Sequence, residues 1–258
     1  MRTTSPETLL QAVHECAELA GAVALAHYRT NVAVEWKDDG SPVTAADRSA
    51  EEAMRGWIRA RFPADGILGE EFGEEGGTSG RRWVVDPIDG TKSFVRGVPF
   101  WGSLVAVVEG GRVLAGAASF PATGEIIAAA VGCGSWHNAS RAAVSTVADL
   151  SAATVLITDD RAFASPSRRE AWKRIWEVAA VSRTWGDAFG YLMVATGRAE
   201  VMLDPRINAW DIACFLPIVE EAGGVFTDLR GAVTAFGGNS VATNAALAAE
   251  SRRILCST

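Results

Sequence analysis

The sequence predicts a layered α+β fold built on two sheets, with α/β character in its second half. Three observations lead there. Apolar residues at helical spacing open the chain, a β-rich block occupies 82–131, and strands alternate with helices from about residue 150 onward. Residues 5–29 carry Leu9, Leu10, Val13, Ala17, Ala20 and Ala24 on one helical face, and Pro6 suits a first turn, where its missing N–H is not needed. The turn-rich Lys-Asp-Asp-Gly-Ser-Pro of 37–42 follows. Thr44-Ala-Ala-Asp47 has the form of a capping box and starts a second helix, which should stop near Phe62-Pro63. Gly-Ile-Leu-Gly at 66–69 is a short strand running into the acids Glu70 and Glu71. The glycine-rich segment 73–82 reads as the most flexible stretch. Trp83–Val85 is a strand, and Leu104–Val108 and Val113–Ser119 flank Glu-Gly-Gly-Arg as a hairpin. Glu125–Val131 is a further strand. In the second half, strands are expected at 153–158 and 199–204. Helices are expected over Ser167–Val178, Asp187–Thr196, 210–224 and 246–255, with Pro217 kinking or fraying the third of these.

The 258 residues are read as a single domain over 1–258, an N-terminal α+β part to about 148 and a C-terminal α/β part from about 149. Hydrophobic residues make up 48%, enough for a sizeable core. No apolar run of about 18 residues occurs, so no helical membrane span is expected. Ser5-Pro6-Glu7 opens a helix where a signal peptide would be basic and then apolar. Cys16, Cys133, Cys214 and Cys256 form no CxxC pair, and His14, His27 and His137 are scattered. A cytoplasmic protein without a disulfide or zinc framework is therefore expected. The net charge of −7 argues against a nucleic-acid partner. It leaves open whether the acids serve solubility or gather around a cation.

The stretch Trp83–Phe94 poses the chemical question. A buried strand reaches Asp86-Pro87-Ile88-Asp89-Gly90 and then opens a helix with Thr91, Lys92 and Ser93. Pro87 fixes its own φ and keeps Asp86 extended, so both carboxylates can face one side. Gly90 permits close approach of a ligand, and the N–H groups that follow suit an anion. A cation bridging acids and anion would make sense of this, and oxygen-only ligands indicate Mg²⁺, Mn²⁺ or Ca²⁺. Taken alone, the stretch is as readily an ordinary Asp-Gly turn. Glu70-Glu71 can equally be a solvated loop, Asp211 a helix N-terminal charge, and Asp47 a capping-box residue. No single acid decides the matter.

Their order does. Gly-Glu-Glu at 69–71, Asp-Pro-Ile-Asp-Gly-Thr at 86–91, and Trp210-Asp211 before an apolar helix ending in Ala-Gly-Gly at 222–224 together resemble the inositol-monophosphatase-like superfamily. The resemblance runs from the first helix to Val-Ala-Thr-Asn-Ala-Ala-Leu at 241–247. It implies a layered αβαβα sandwich of the inositol-monophosphatase / fructose-1,6-bisphosphatase type and a lithium-sensitive phosphatase using two or three Mg²⁺, with Mn²⁺ able to substitute. Glu70, Asp86, Asp89, Asp211 and the Ile88 carbonyl would be the metal ligands. Thr91 and Asp47 would orient and deprotonate the attacking water, with Glu70 also holding it. The N–H groups of Gly90 and Thr91 would hold the phosphate, with Ser93 a further candidate, and Lys37 matches a lysine of a mobile loop where some members place another metal. Members are commonly homodimers, and the exposed-looking aromatics at 100–101 would suit an interface.

Within the superfamily, the stretches 89–111 and 182–205 are similar to the histidinol-phosphate phosphatase version. The expected substrate is therefore L-histidinol phosphate, a small phosphate monoester whose alcohol carries an ammonium and a protonatable imidazole. Asp187 is the candidate carboxylate for reading it, Arg183 could orient Asp187 or reach the phosphate region, and Trp101 and Trp185 could stack on the imidazole. Core or interface packing is an equally ready role for both tryptophans. The alternative within the same mechanism is an inositol monophosphatase or broad-specificity sugar-phosphate phosphatase, differing in the pocket around 183–191 and the loop 160–168. The alternative of another class is a non-catalytic metal- or phosphate-binding regulator, which a missing ligand or a missing Thr91–Asp47 pair would have indicated.

Overall fold

The computed structural model describes residues 4–30, 33–37, 40 and 42–256. In chain order the N-terminal half contains α1 (Pro6–Leu25), β1 (Val34–Trp36), β2 (Pro42–Thr44), α2 (Ala45–Arg61), β3 (Gly66–Gly69), β4 (Gly73–Glu75), β5 (Arg81–Asp89), the single-turn α3 (Thr91–Phe94), β6 (Gly102–Glu109), β7 (Arg112–Phe120), β8 (Glu125–Ala130), β9 (Gly134–His137) and β10 (Ser140–Arg141). The second half contains β11 (Thr154–Ile157), α4 (Pro166–Val178), β12 (Val181–Arg183), α5 (Asp187–Ala195), β13 (Val201–Asp204), α6 (Ala209–Ile212), α7 (Phe215–Glu221), β14 (Val225–Thr227), β15 (Ser240–Thr243) and α8 (Ala248–Cys256).

Both expected helix starts are capped as the sequence indicates. Ser5 accepts the Thr8 N–H, and Thr44 and Asp47 form a reciprocal capping box. One sheet has eight strands in the order β10-β9-β8-β7-β6-β5-β3-β4, and a second has five in the order β12-β11-β13-β15-β14. Strand alternation divides the core into layers. On β5 and β6, Val85, Val105 and Val107 face α1 and α2, whereas Val84, Leu104 and Ala106 face α5 and α7. Beyond those helices lie Leu156, Met202 and Ala242 of the second sheet, whose other face packs Val155, Leu203 and Val241 on Trp172 of α4 and Leu255 of α8. The result is the α-β-α-β-α layering.

Several expectations are corrected. The turn at 37–42 lies partly outside the described residues. Segment 73–82 is not simply loose: Gly73–Glu75 pairs with β3 as an edge strand. Glu75 is held there by Arg59 at 2.6 Å, and Arg55 donates to the Gly73 carbonyl at 2.5 Å. The aromatics at 100–101 do not form an exposed pair. Trp101 is fully buried against Tyr28 and Phe94, and Phe100 stacks on Phe189 at 4.6 Å. Trp101 is thus core and has no free face for a ligand.

The helix expected over 210–224 is split at Ala213-Cys214. Pro217 offers no N–H to the Ala213 carbonyl and its ring crowds that oxygen, so the ladder opens there. The opened backbone at Cys214 presses on the sheet at Gly116, where an added Cβ would lie 2.4 Å from the Cys214 carbonyl oxygen. Gly116→Ala is expected to destabilise the protein by about 1–3 kcal/mol, because the atoms it would meet are all Cys214 backbone and cannot turn away. A lowered urea midpoint at unchanged m-value checks this.

Candidate functional site

The site begins with a register fault in β5. Asp86 pairs with Leu104 and Asp89 with Gly102, so three steps on β5 oppose two on β6. In a regular strand, residues three apart face opposite sides. The extra residue of this bulge turns Asp89 back to the side of Asp86. Pro87 suits the bulge because it has no ladder donor, and its carbonyl instead accepts the Ser103 hydroxyl at 2.6 Å. The strand does not end at Val85, as the sequence reading had it; it bends through both acids and ends at Asp89.

Asp211 joins them from the start of α6, where it accepts the Asn208 N–H at 2.9 Å in a capping box. One carboxylate oxygen from each of Asp86, Asp89 and Asp211 lies within 4.8 Å of the others. Glu70 flanks this trio, close enough for its negative charge to raise the Asp86 pKa. Lys37 bridges Glu70 and Glu71 at 2.8 and 2.7 Å. The turn carrying these glutamates is fixed by Glu51, which is fully buried and accepts the N–H groups of Glu71 and Phe72.

On the other side, Gly90 adopts a left-handed conformation (φ 79°), and a Cβ there would lie 2.8 Å from the Phe100 carbonyl. The Thr91 hydroxyl lies 2.9 Å from the Ile88 carbonyl and 3.4 Å from Asp47. With one proton, it bonds the carbonyl first and the carboxylate second. Asp47 accepts both the N–H and the hydroxyl of Thr44, at 2.7 and 2.6 Å. Asp187 opens α5 in a left-handed conformation (φ 49°), and the next N–H, of Ala188, donates to Asp89 at 2.5 Å. Its Oδ2 lies 3.4 Å from the position a Gly90 Cβ would take. Asp187 therefore stands at the edge of the carboxylate group.

The remaining candidates are less central. Ser93 is the third residue of α3, and its N–H donates to the Gly90 carbonyl at 2.8 Å. Trp185 is 37% exposed. Arg183 is exposed, donates to the Ser182 carbonyl at 2.8 Å and sits 5.8 Å over the Trp185 ring. It makes no hydrogen bond or ion pair with the carboxylates.

Burial, reinforced by neighbouring negative charge, pushes Asp86 and Asp89 well above the usual carboxylate range. Asp211 is pushed to about 7 by burial and Asp187 to about 6 by the same cause. Three converging carboxylates, Asp86 and Asp89 buried and Asp211 half-buried, repel one another unless protonated or joined by a cation. The donors are all oxygen, so the set fits a hard divalent cation. A prediction follows for chelated protein. Asp211 binds a proton more tightly folded, at about 7, than unfolded, at 3.8. Its stabilisation is therefore complete below about pH 4 and is lost as pH rises through 7. Removal of divalent cations should lower Tm more at pH 8 than at pH 5.5, checked by thermal melts with and without Mg²⁺.

Three further residues escaped the sequence reading. Glu51, on a helix four residues after Asp47, looks like an ordinary solvated acid. Thr158 accepts the Asp187 N–H at 2.7 Å but has no motif around it. Asp204, buried at the end of β13, accepts the Tyr191 hydroxyl at 2.6 Å. An apolar strand ending in an acid was its only signal, the same one Asp86 carries.

Comparison with known proteins agrees with this geometry. The model of the inositol monophosphatase family matches residues 5–258. A histidinol-phosphatase of Chlorobaculum parvum is 44% identical over 223 residues, 86% of each chain. A histidinol-phosphatase of Mycobacterium tuberculosis is 40% identical over 83% of this chain and 84% of its own. The solved structure of an inositol monophosphatase from Zymomonas mobilis superposes with a TM-score of 0.86 at 27% identity, covering 98% of this chain and 99% of that one. The chain, with its bulged strand of paired aspartates and the layered sandwich around it, belongs to the inositol monophosphatase family of phosphomonoesterases.

Proposed function

We propose that this enzyme hydrolyses L-histidinol phosphate to L-histidinol and phosphate, as a cytoplasmic, lithium-sensitive, homodimeric enzyme of histidine biosynthesis. The observation that carries the reading is the Asp187 carboxylate beside Gly90 and Asp89, where the alcohol of a bound ester would project. An inositol or sugar alcohol needs only hydroxyl partners there, whereas an ammonium or imidazolium needs a negative charge. The 44% and 40% identical relatives are histidinol-phosphatases, which favours the same ester.

Glu70, Asp86, Asp89, Asp211 and the Ile88 carbonyl would hold two or three Mg²⁺, with Mn²⁺ able to replace them. The chemistry these ions supply when bound is neutralisation of the carboxylates, polarisation of the phosphoryl oxygens and a lowered water pKa. Asp47 and Thr91 then orient the attacking water and accept its proton, and burial that raises Asp47 above the usual range makes it the stronger base. Glu70 holds the same water. Gly90 and Thr91 present N–H groups to the phosphate. Lys37 balances Glu70 and Glu71.

Phosphate release with Mg²⁺ from histidinol phosphate, inositol 1-phosphate, fructose 1,6-bisphosphate and adenosine 3′,5′-bisphosphate tests the reading. The highest kcat/KM is expected for histidinol phosphate. A preference for inositol 1-phosphate would establish the alternative, and no release from any ester would indicate the non-catalytic regulator.

A further inference from the structure

The three strands β12, β11 and β13 run parallel, with Leu156 opposite Arg183 and Ile157 opposite Leu203. Their C-terminal ends are the edge at which ligands bind in open α/β sheets. Three polar residues from distant parts of the chain meet there. Thr158 follows β11, Asp187 follows β12 by way of Gly186, and Asp204 ends β13.

Asp187 holds a left-handed conformation that most L-residues avoid and that aspartate adopts only as a single residue. Something must keep it there. The Ala188 N–H is anchored by Asp89, and the Asp187 N–H by the Thr158 hydroxyl oxygen at 2.7 Å. Gly186 lets the two segments touch, since a Cβ on it would come within 2.3 Å of the Thr158 Cα. Asp204, buried at the end of the neighbouring β13, takes the Tyr191 hydroxyl at 2.6 Å, and Tyr191 bonds Ser240. The Thr158 hydroxyl oxygen offers the lone pair that the Asp187 N–H needs, and a methyl group in its place would offer none.

We propose that Thr158 is the positioning residue of substrate selection, with its hydroxyl holding the left-handed turn that aims the Asp187 carboxylate at the cationic alcohol. This rests on the reading of Asp187 given above. Thr158 does not touch the reacting atoms. Loss of its hydroxyl alters which ester is preferred and leaves phosphate transfer to water intact.

The test compares Thr158→Val, which keeps the shape and removes the hydroxyl, with Thr158→Ser, which restores it, and with Asp187→Asn. Each is assayed with Mg²⁺ on histidinol phosphate and on glycerol 2-phosphate, whose alcohol is uncharged. Thr158→Val should raise KM for histidinol phosphate roughly 3- to 10-fold, as expected for one lost hydrogen bond. Its kcat, and its kcat/KM on glycerol 2-phosphate, should stay within about twofold, and Thr158→Ser should match the parent. Amide hydrogen exchange of the segment 184–190 should speed up in the valine variant and not in the serine variant. Equal losses on both esters, or unchanged KM on histidinol phosphate, would overturn the proposal. If Asp187→Asn discriminates between the esters and Thr158→Val does not, the positioning role alone fails. If neither discriminates, the reading of Asp187 fails with it.

Discussion

Asp86→Asn is expected to lower kcat for phosphate release by on the order of 10³-fold or more, and to abolish the rise in Tm that Mg²⁺ gives the parent protein. Asp86 is almost fully buried, sits at the bulge, and lies within reach of both Asp89 and Asp211. An amide there keeps the size and the oxygen while removing the charge the cations require. The same change should stabilise chelated protein, because it removes one of three mutually repelling carboxylates. Opposite signs in the two conditions separate a ligand from a structural residue. A residue whose role was packing alone would lose stability in both. Melting curves with chelator and with Mg²⁺, together with steady-state kinetics, check the pair of outcomes. Retention of full activity by the variant would remove Asp86 from the ligand set.

Asp187→Asn is expected to lower kcat/KM for histidinol phosphate roughly 10- to 100-fold, the range for a hydrogen bond to a charged group. The change on an ester of an uncharged alcohol should stay within about threefold. Asparagine is the informative substitution, because it tolerates the left-handed conformation of this residue. Asp187→Ala should show the same selective loss with an added backbone penalty at a position that disfavours Cβ-bearing residues. Parallel kinetics on the two esters decide the matter, and equal losses on both would withdraw Asp187 from substrate recognition.

Much of the fold was legible because its signals are local. Ser5-Pro6 and the Thr44–Asp47 box mark helix starts by satisfying N–H groups within a few residues. The hairpin of β6 and β7 is announced by Glu-Gly-Gly-Arg. Pro217 announced a fault in its helix but not where it would fall, since the break depends on how Cys214 meets Gly116 from another layer. Trp101 and Phe100 were misjudged for a related reason. A strand edge near a proline and a glycine reads as surface until Tyr28, Phe94 and Phe189 arrive from elsewhere to cover it.

For the candidate site, the types and order of the acids were set by the sequence itself: Glu70, the pair Asp86 and Asp89 around a proline, and Asp211 at a helix start. Their chemistry as oxygen donors and their family follow from that order alone. Convergence did not. Asp86 and Asp89 face one way because a bulge against β6 adds a residue to the count, and pairing between strands is not written in either strand singly. Glu51 grips the Glu70 turn, and Thr158 meets Asp187 and Asp204, across separations that only the stacking of layers closes. Local hydrogen-bonding preferences act over a few residues and can be read in order along the chain. The burial that shifts these carboxylates, and the contacts that aim them, depend on surfaces brought together from distant segments, and so were decided by the tertiary structure.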